Sequence, residues 1–392
     1  MRILIALTYY RPHTSGLTIY AERIAKALAA RGHAVTVLTS HYRKDLPYEE
    51  TCDGVKIVRV PVLMRISKGV IMPAYGPTAN KLVAENDWIQ LHLPQFDAAG
   101  IALRGRLLRK PTIVTYHCDL HMPPGFLAWT ANQSVLFMND LAARLTHRVV
   151  TYTQDYADHS PYLSGFKKKI RVFSPPVVLP DTSDDAVKEF LLKNNPEGRS
   201  PVIGMAARLA TEKGVEVLLS ALPAILEKHP NTRVLFAGPY KGIVGEEDYA
   251  RRLSPLIKQF EDSGVWKFVD ELNPAQMAAF YRAIDVLVLP SLNSTEAFGL
   301  VQIEAMLNGV PCVASNLPGV RQPVKRHNMG AIAEIGSAES LASAVLTVLD
   351  ERKNMKPDLE EIRSEYDPDR VAAFYEGLFT EISHEINDHD KR

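Results

Sequence analysis

Two glutamates, Glu296 and Glu304, stand with seven residues between them on either side of the step Phe298-Gly299, and this spacing suggests chemistry. Ionised carboxylates only accept hydrogen bonds, so the pair suits hydroxyl donors. Between them a helix begins, since Leu300–Leu307 carries apolar residues at helical spacing and closes at Asn308-Gly309 with Pro311 beyond. The backbone N–H groups of Phe298, Gly299, Leu300 and Val301 are then donors without intrahelical acceptors, and the missing side chain at Gly299 lets an anion come close. Phosphate is the natural guest. Two carboxylates would repel it, so they require hydroxyls on either side of a phosphate bridge, as in a nucleotide sugar. Taken singly, Glu304 also fits a solvated position on an amphipathic helix, and Glu296 a cap favoured by the helix dipole.

Arg208 and Lys213 lie five residues apart where a strand over 200–206 crosses to a helix over 215–229. Two cations there can neutralise a diphosphate, and the alternative is a solvated loop. His117 and Asp119 follow the buried strand Lys110–Tyr116, at the edge where chemistry collects in parallel sheets. His92, near the end of the strand over 86–93, reads as a strand-end histidine, and Cys118 as packing.

These residues require strands that end at a common edge. The central unit is strand 285–290, loop, helix, strand 310–315, the first a short apolar run stopped by Pro290. The first half opens with strand Ile3–Leu7, a turn-rich loop, helix Ile19–Ala30 and strand Ala34–Leu38, without GxGxxG, which disfavours a nicotinamide or flavin cofactor. Further strands are expected over 54–60 near a sheet edge and over 147–153, with helices over 122–145 and 154–165. Prolines and acids over 173–185 mark a domain boundary. Beyond it, a strand over 231–236 ends at Ala237-Gly238-Pro239, whose small turn could admit ligand. The segment 265–272 precedes a helix over 274–283, and a last helix runs over 371–386 before a frayed polar end.

Lys+Arg and Asp+Glu both number 45, so charge gives no argument for nucleic acid. Cys52, Cys118 and Cys312 are odd in number and lack metal-ligand spacing, which suggests a reduced, cytoplasmic protein. The apolar run after Met1-Arg2 is too short for a signal peptide, and none approaches the roughly 20 residues that span a bilayer. The apolar stretch over 122–145 reads as a helix packed on the sheet. Its sharper reading is an acceptor-side surface meeting a lipid-linked substrate or membrane, helped by basic residues over 104–110 or 167–169.

The run Glu296-Ala-Phe-Gly-Leu-Val-Gln-Ile-Glu304-Ala-Met, with Pro-Ser just upstream, resembles the signature of the retaining nucleotide-sugar glycosyltransferases numbered family 4. The resemblance implies an α/β GT-B fold, with two facing Rossmann-like domains, a deep interdomain cleft and a C-terminal helix crossing back. The domains would be 1–176, completed by 368–392, and a donor-binding 177–367. It implies that Glu296 binds donor-sugar hydroxyls, Glu304 the ribose diol, and the backbone near Glu271 and Leu272 the nucleobase, with Asp270 where the family often has glycine. Arg208 and Lys213 match the element Gly-Arg-Leu-x-x-x-Lys-Gly, except for Ala207. Tyr-His-x-Asp places His117 beside the transferred sugar, with Asp119 orienting or binding acceptor, and Gly16 remains of a Gly-Gly pair whose first member is Ser15. Acceptor pockets would come from loops over 67–80 and 122–139.

The expected reaction moves a hexose from a UDP- or GDP-sugar to a hydroxyl acceptor such as a cell-envelope glycan, glycolipid or lipid-linked sugar. Retention follows from the family. No Asp-x-Asp motif lies near the donor loop, so neither metal nor other cofactor is expected. Peripheral contact with the inner face of a membrane is compatible with this activity. A nucleotide-sugar epimerase or a non-catalytic sugar-nucleotide-binding module are the alternatives.

Overall fold

Short apolar strands alternating with amphipathic helices pack as parallel sheets covered by helices, because such strands can be buried on both faces. In the computed structural model, which describes residues 1–66, 69–120, 126–355 and 357–389, the chain divides into two compact units, 1–177 with 366–392 and 178–365.

The first unit runs β1 (Arg2–Ala6), α1 (Gly16–Ala30), β2 (Ala34–His41), β3 (Glu49–Cys52), β4 (Val55–Pro61), β5 (Met64–Ile66), β6 (Gly69–Ile71), α2 (Tyr75–Glu85), β7 (Trp88–Leu93), α3 (Ala98–Leu107), β8 (Thr112–Tyr116), α4 (Phe126–Leu145), β9 (Arg148–Thr151), α5 (Gln154–His159) and β10 (Ile170–Val172). Eight strands form one sheet in the order β10-β9-β8-β7-β1-β2-β4-β3. All its pairings are parallel except β3 with β4. Every residue of β7 and β8 is buried, as expected of central parallel strands.

The second unit runs α6 (Asp184–Asn194), β11 (Val202–Ala206), α7 (Val215–Lys228), β12 (Arg233–Ala237), α8 (Glu247–Asp262), β13 (Trp266–Phe268), α9 (Pro274–Arg282), β14 (Val286–Leu289), α10 (Leu300–Met306), β15 (Cys312–Ser315), α11 (Gln322–His327), β16 (Gly330–Ala333), α12 (Ala338–Glu351) and α13 (Leu359–Glu365). Its six strands are all parallel, in the order β13-β12-β11-β14-β15-β16. Val217, Leu218, Leu222 and Ile225 of α7 and Leu341, Val345 and Val348 of α12 share its apolar core with β11 and β14.

The last helix, α14 (Pro368–His389), belongs to the first unit. It buries Val371, Tyr375, Phe379 and Ile382. The Tyr375 hydroxyl lies 2.8 Å from that of Tyr20 on α1 and 2.6 Å from that of Thr115 on β8, and Phe379 stacks on Trp88 at 4.8 Å. Arg31 pairs with both Asp369 and Glu376.

Local departures from expectation have identifiable causes. The helix expected over 154–165 stops at His159, because Ser160 precedes Pro161 and turns extended, and a 3-10 turn over Leu163–Lys169 follows. Within 265–272, which precedes α9 as expected, Trp266–Phe268 forms a short strand and Asp270 adopts φ +62°. Asp184 and Asp185 leave the expected linker for the first turn of α6, where the Ser183 side chain caps Ala186 N–H. The first expected acceptor loop contains β6 and the start of α2. Its residues 67–68, residue 121, residues 122–125 of the second loop, the side chains of Phe126 and Trp129, and 390–392 lie outside the described residues.

Candidate active site

In the second unit β11 and β14 are neighbours, although β12 and β13 separate them in sequence. The crossovers therefore leave toward opposite sides, and the loops after β11 and β14 part at this switch point, where open α/β sheets form their ligand crevice. Those two loops carry Arg208, Lys213 and Glu296, and the second leads directly into α10 with Glu304.

Backbone contacts hold the loops together. Leu292 N–H donates to the Glu212 carbonyl at 2.9 Å. Gly214, at φ +64°, lies so near Pro290 that an added Cβ would fall 2.1 Å from its carbonyl oxygen. Thr211 donates through both its N–H (2.9 Å) and hydroxyl (2.7 Å) to Glu246. The turn at Gly238 serves packing: its φ is +128°, and the space of a side chain is filled by the Ala207 carbonyl, 2.2 Å from the Cβ position. Gly238 N–H reaches the Asp270 carbonyl at 2.9 Å. Asp270 holds the left-handed conformation that glycine adopts most easily and Asp tolerates. Glu271 beyond it is exposed and Leu272 half-buried.

On this frame the Lys213 ammonium lies 2.5 Å from the Glu296 carboxylate, both side chains mostly buried. Glu296 thus has a cation as partner. Arg208 pairs with Glu212. Glu304 is 6% exposed, which removes the solvated reading, and accepts a hydrogen bond from buried Tyr281 at 2.8 Å. Phe298 is buried, and Leu300 and Val301 form the first turn of α10, whose early amides lack intrahelical acceptors. Gly299 is required by its own packing, at φ +81°, where a Cβ would meet Leu289 Cδ2 at 2.4 Å. Gln302, fully buried, donates to the Phe298 and Val320 carbonyls and fixes this turn.

In the first unit His117 is 5% exposed, at the carboxyl end of β8. Its Nε2 lies 2.8 Å from His92 Nδ1, and its Nδ1 meets the Tyr152 hydroxyl. Both ring nitrogens are therefore engaged within the unit. Burial, with the neighbouring His92 adding to it, pushes the His117 pKa far down, and burial lowers that of His92 to about 3. Both rings are neutral near pH 7. The Tyr20 ring meets His117 edge-on at 5.1 Å. Asp119 is also buried. Its Oδ1 accepts from Tyr116 (2.8 Å) and Ser160 (2.7 Å), and its N–H donates to Tyr156. Asp119 Oδ2 has no hydrogen-bond partner among the described residues. Gly16 is the first residue of α1 behind the Ser15 cap, and a side chain there would meet nothing within 4 Å.

Sequence reasoning missed Tyr152, Tyr20, Tyr281 and Glu212, and it gave His92 no part. His92 and His117 both lie near the ends of strands adjacent in sequence, which was a usable signal; the tyrosines carry none. Among the described residues no group of three or more His, Cys, Asp or Glu side chains is disposed to hold a metal.

Two family descriptions match in succession, "Glycosyltransferase Family 4" over residues 14–179 and "Glycosyl transferases group 1" over 187–364. The chain belongs to the group 1, family 4 glycosyltransferases. This glycosyltransferase is 25% identical over 357 residues to the phosphatidyl-myo-inositol mannosyltransferase of Mycolicibacterium smegmatis, covering 90% of this chain and 85% of that one. Its fold matches a sucrose-phosphate synthase from Thermosynechococcus elongatus with TM-score 0.77 at 20% identity, over 97% of this chain and 98% of the other. Anabaena HepE in complex with UDP matches with TM-score 0.73 at 19% identity, over 97% and 100%. The glycosyltransferase is a GT-B protein of the hexosyltransferase type.

Proposed function

We propose that this enzyme transfers a hexose, with retention at the anomeric carbon, from a UDP- or GDP-sugar to a hydroxyl of a cell-envelope glycan, glycolipid or lipid-linked sugar. The observation that carries the donor assignment is the convergence of Arg208, Lys213, Glu296 and the first turn of α10 at one switch point of the second sheet. As the anomeric C–O bond breaks, negative charge grows on the departing diphosphate, and the two cations and the helix amides stabilise it. Glu296 accepts from donor-sugar hydroxyls and Glu304 from the ribose diol, while the backbone at Glu271 and Leu272 meets the base. The cationic pair supports a reaction without a divalent metal. In the first unit, His117 serves the transferred sugar as a neutral group, and a sugar hydroxyl reaches its ring nitrogens only by replacing Tyr152 or His92. Asp119 orients or binds the acceptor.

The acceptor class is supported by the mannosyltransferase relative, whose name specifies a phosphatidyl-myo-inositol acceptor. No helix among the described residues is long and apolar enough to cross a membrane. Peripheral contact at the cytoplasmic face is supported by exposed Leu103, Leu107 and Leu108 beside Arg106 and Arg109. Co-sedimentation with anionic liposomes at low salt tests it; failure to sediment removes the membrane from the proposal.

The donor is tested by thermal stability with UDP-, GDP-, ADP- and TDP-sugars, with and without chelator. A ligand at 100 times its Kd adds about 2.7 kcal/mol. Chelator-insensitive stabilisation by a UDP- or GDP-sugar, weakened in Glu304→Ala, is expected. Absence of stabilisation by any of them overturns the donor site.

A further inference from the structure

The two cations assigned to the diphosphate are both already neutralised by carboxylates of the same unit: Lys213 by Glu296 at 2.5 Å, and Arg208 by Glu212. Glu296 has a second task in the proposed reaction. Glu212 has none. Its side chain is only 13% exposed, and its backbone is pinned by the Leu292 N–H and by the neighbouring Thr211–Glu246 bonds, so the carboxylate is held beside Arg208 by the fold. Burial opposes its charge, and Arg208, the Glu212 backbone N–H and Lys213 together more than offset that, holding the carboxyl below its usual value and ionised at neutral pH.

We propose that Glu212 is an internal competitor of the diphosphate: it occupies the Arg208 guanidinium in the empty site, yields part of it when the donor binds, and recaptures it as the nucleoside diphosphate leaves. The inference rests on the donor site proposed above. Two like-charged groups cannot share one cation without repulsion, so Glu212 weakens diphosphate binding and speeds release of a product that otherwise keeps both cations. A residue that merely aims Arg208 predicts the opposite sign, because its loss would leave the guanidinium misplaced.

The test is a double-substitution cycle read by calorimetry, using whichever of UDP or GDP gives the larger thermal stabilisation, with the free nucleoside as phosphate-free control. Glu212→Gln keeps shape and removes charge. The expected result is diphosphate affinity about fivefold tighter than wild type, unchanged nucleoside affinity, slower diphosphate dissociation in stopped flow, and no gain from Glu212→Gln when Arg208→Ala is present. Unchanged or weaker diphosphate binding in Glu212→Gln, with Arg208→Ala still costing affinity, overturns the competitor and leaves the donor site standing. If Arg208→Ala binds diphosphate as wild type does, the donor site itself fails, and the competitor with it.

Discussion

At the residue scale, the site contrasts charges that are paired with rings that are neutral. Lys213 and Glu296 form a mostly buried ion pair, so replacing either one alone leaves a charge without its partner. Lys213→Met is expected to lower kcat on the order of 10²-fold or more, the scale of losing one group that stabilises developing charge; steady-state assays with the identified donor decide it. His92 and His117 give a pH prediction with a fixed sign. Burial holds both below the ordinary value of 6.5, so the unfolded chain binds protons that the folded chain does not. Their contribution is intact above about pH 6.5 and is lost as pH falls toward the folded values. Between pH 7 and pH 5 His92 should cost about 2 kcal/mol of stability, with His117 acting in the same direction, measured by urea unfolding of the first unit's transition. A pH-independent transition over that range would show that the rings titrate normally. The two histidines were visible in the sequence, but their contact depends on strand pairing across 25 positions, which side-chain type does not encode.

At the element scale, β14, α10 and β15 were legible because apolar runs, helical spacing and Asn-Gly-Pro punctuation agree with one another. What misled was the meaning of the glycines. Gly299 and Gly238 looked like clearances for a ligand, and the structure fills both with neighbouring protein atoms. Gly299→Ala should therefore destabilise the second unit by roughly 1–3 kcal/mol through positive φ and the contact with Leu289, while Gly16→Ala, with open space around it, should change stability by less than about 1 kcal/mol. Urea titration of the two variants separates a packing role from an open position. Helix ends were less legible than helix centres, as at Ser160-Pro161, where one proline rather than any loss of periodicity ended α5. The α2, α8 and α12 helices carry none of the motif residues and left little chemical signal, although their patterns are regular.

At the scale of the whole molecule, the division into two parallel-sheet units followed from the restart of strand pattern near residue 200 and the proline-rich segment before it. Removing residues 366–392 would strip Val371, Tyr375, Phe379 and Ile382 from the first unit. Four large buried side chains are worth about 6–12 kcal/mol, as much as the total stability of an ordinary domain. The truncated chain is therefore expected to lose the first unit's unfolding transition while unit 178–365 keeps its own, which calorimetry resolves directly. A native first transition in the truncated protein would mean that α14 only decorates the sheet.

That same helix has a consequence for synthesis. Residues 1–177 emerge from the ribosome first, yet their closing helix follows all of 178–365. At translation rates of about 5–20 residues per second the wait is on the order of ten seconds or more. During it, Tyr20 and Thr115 lack the Tyr375 hydroxyl and Trp88 lacks the ring of Phe379. The nascent chain thus carries an apolar face that α14 will cover, a natural place for a chaperone to hold on until that helix has been made.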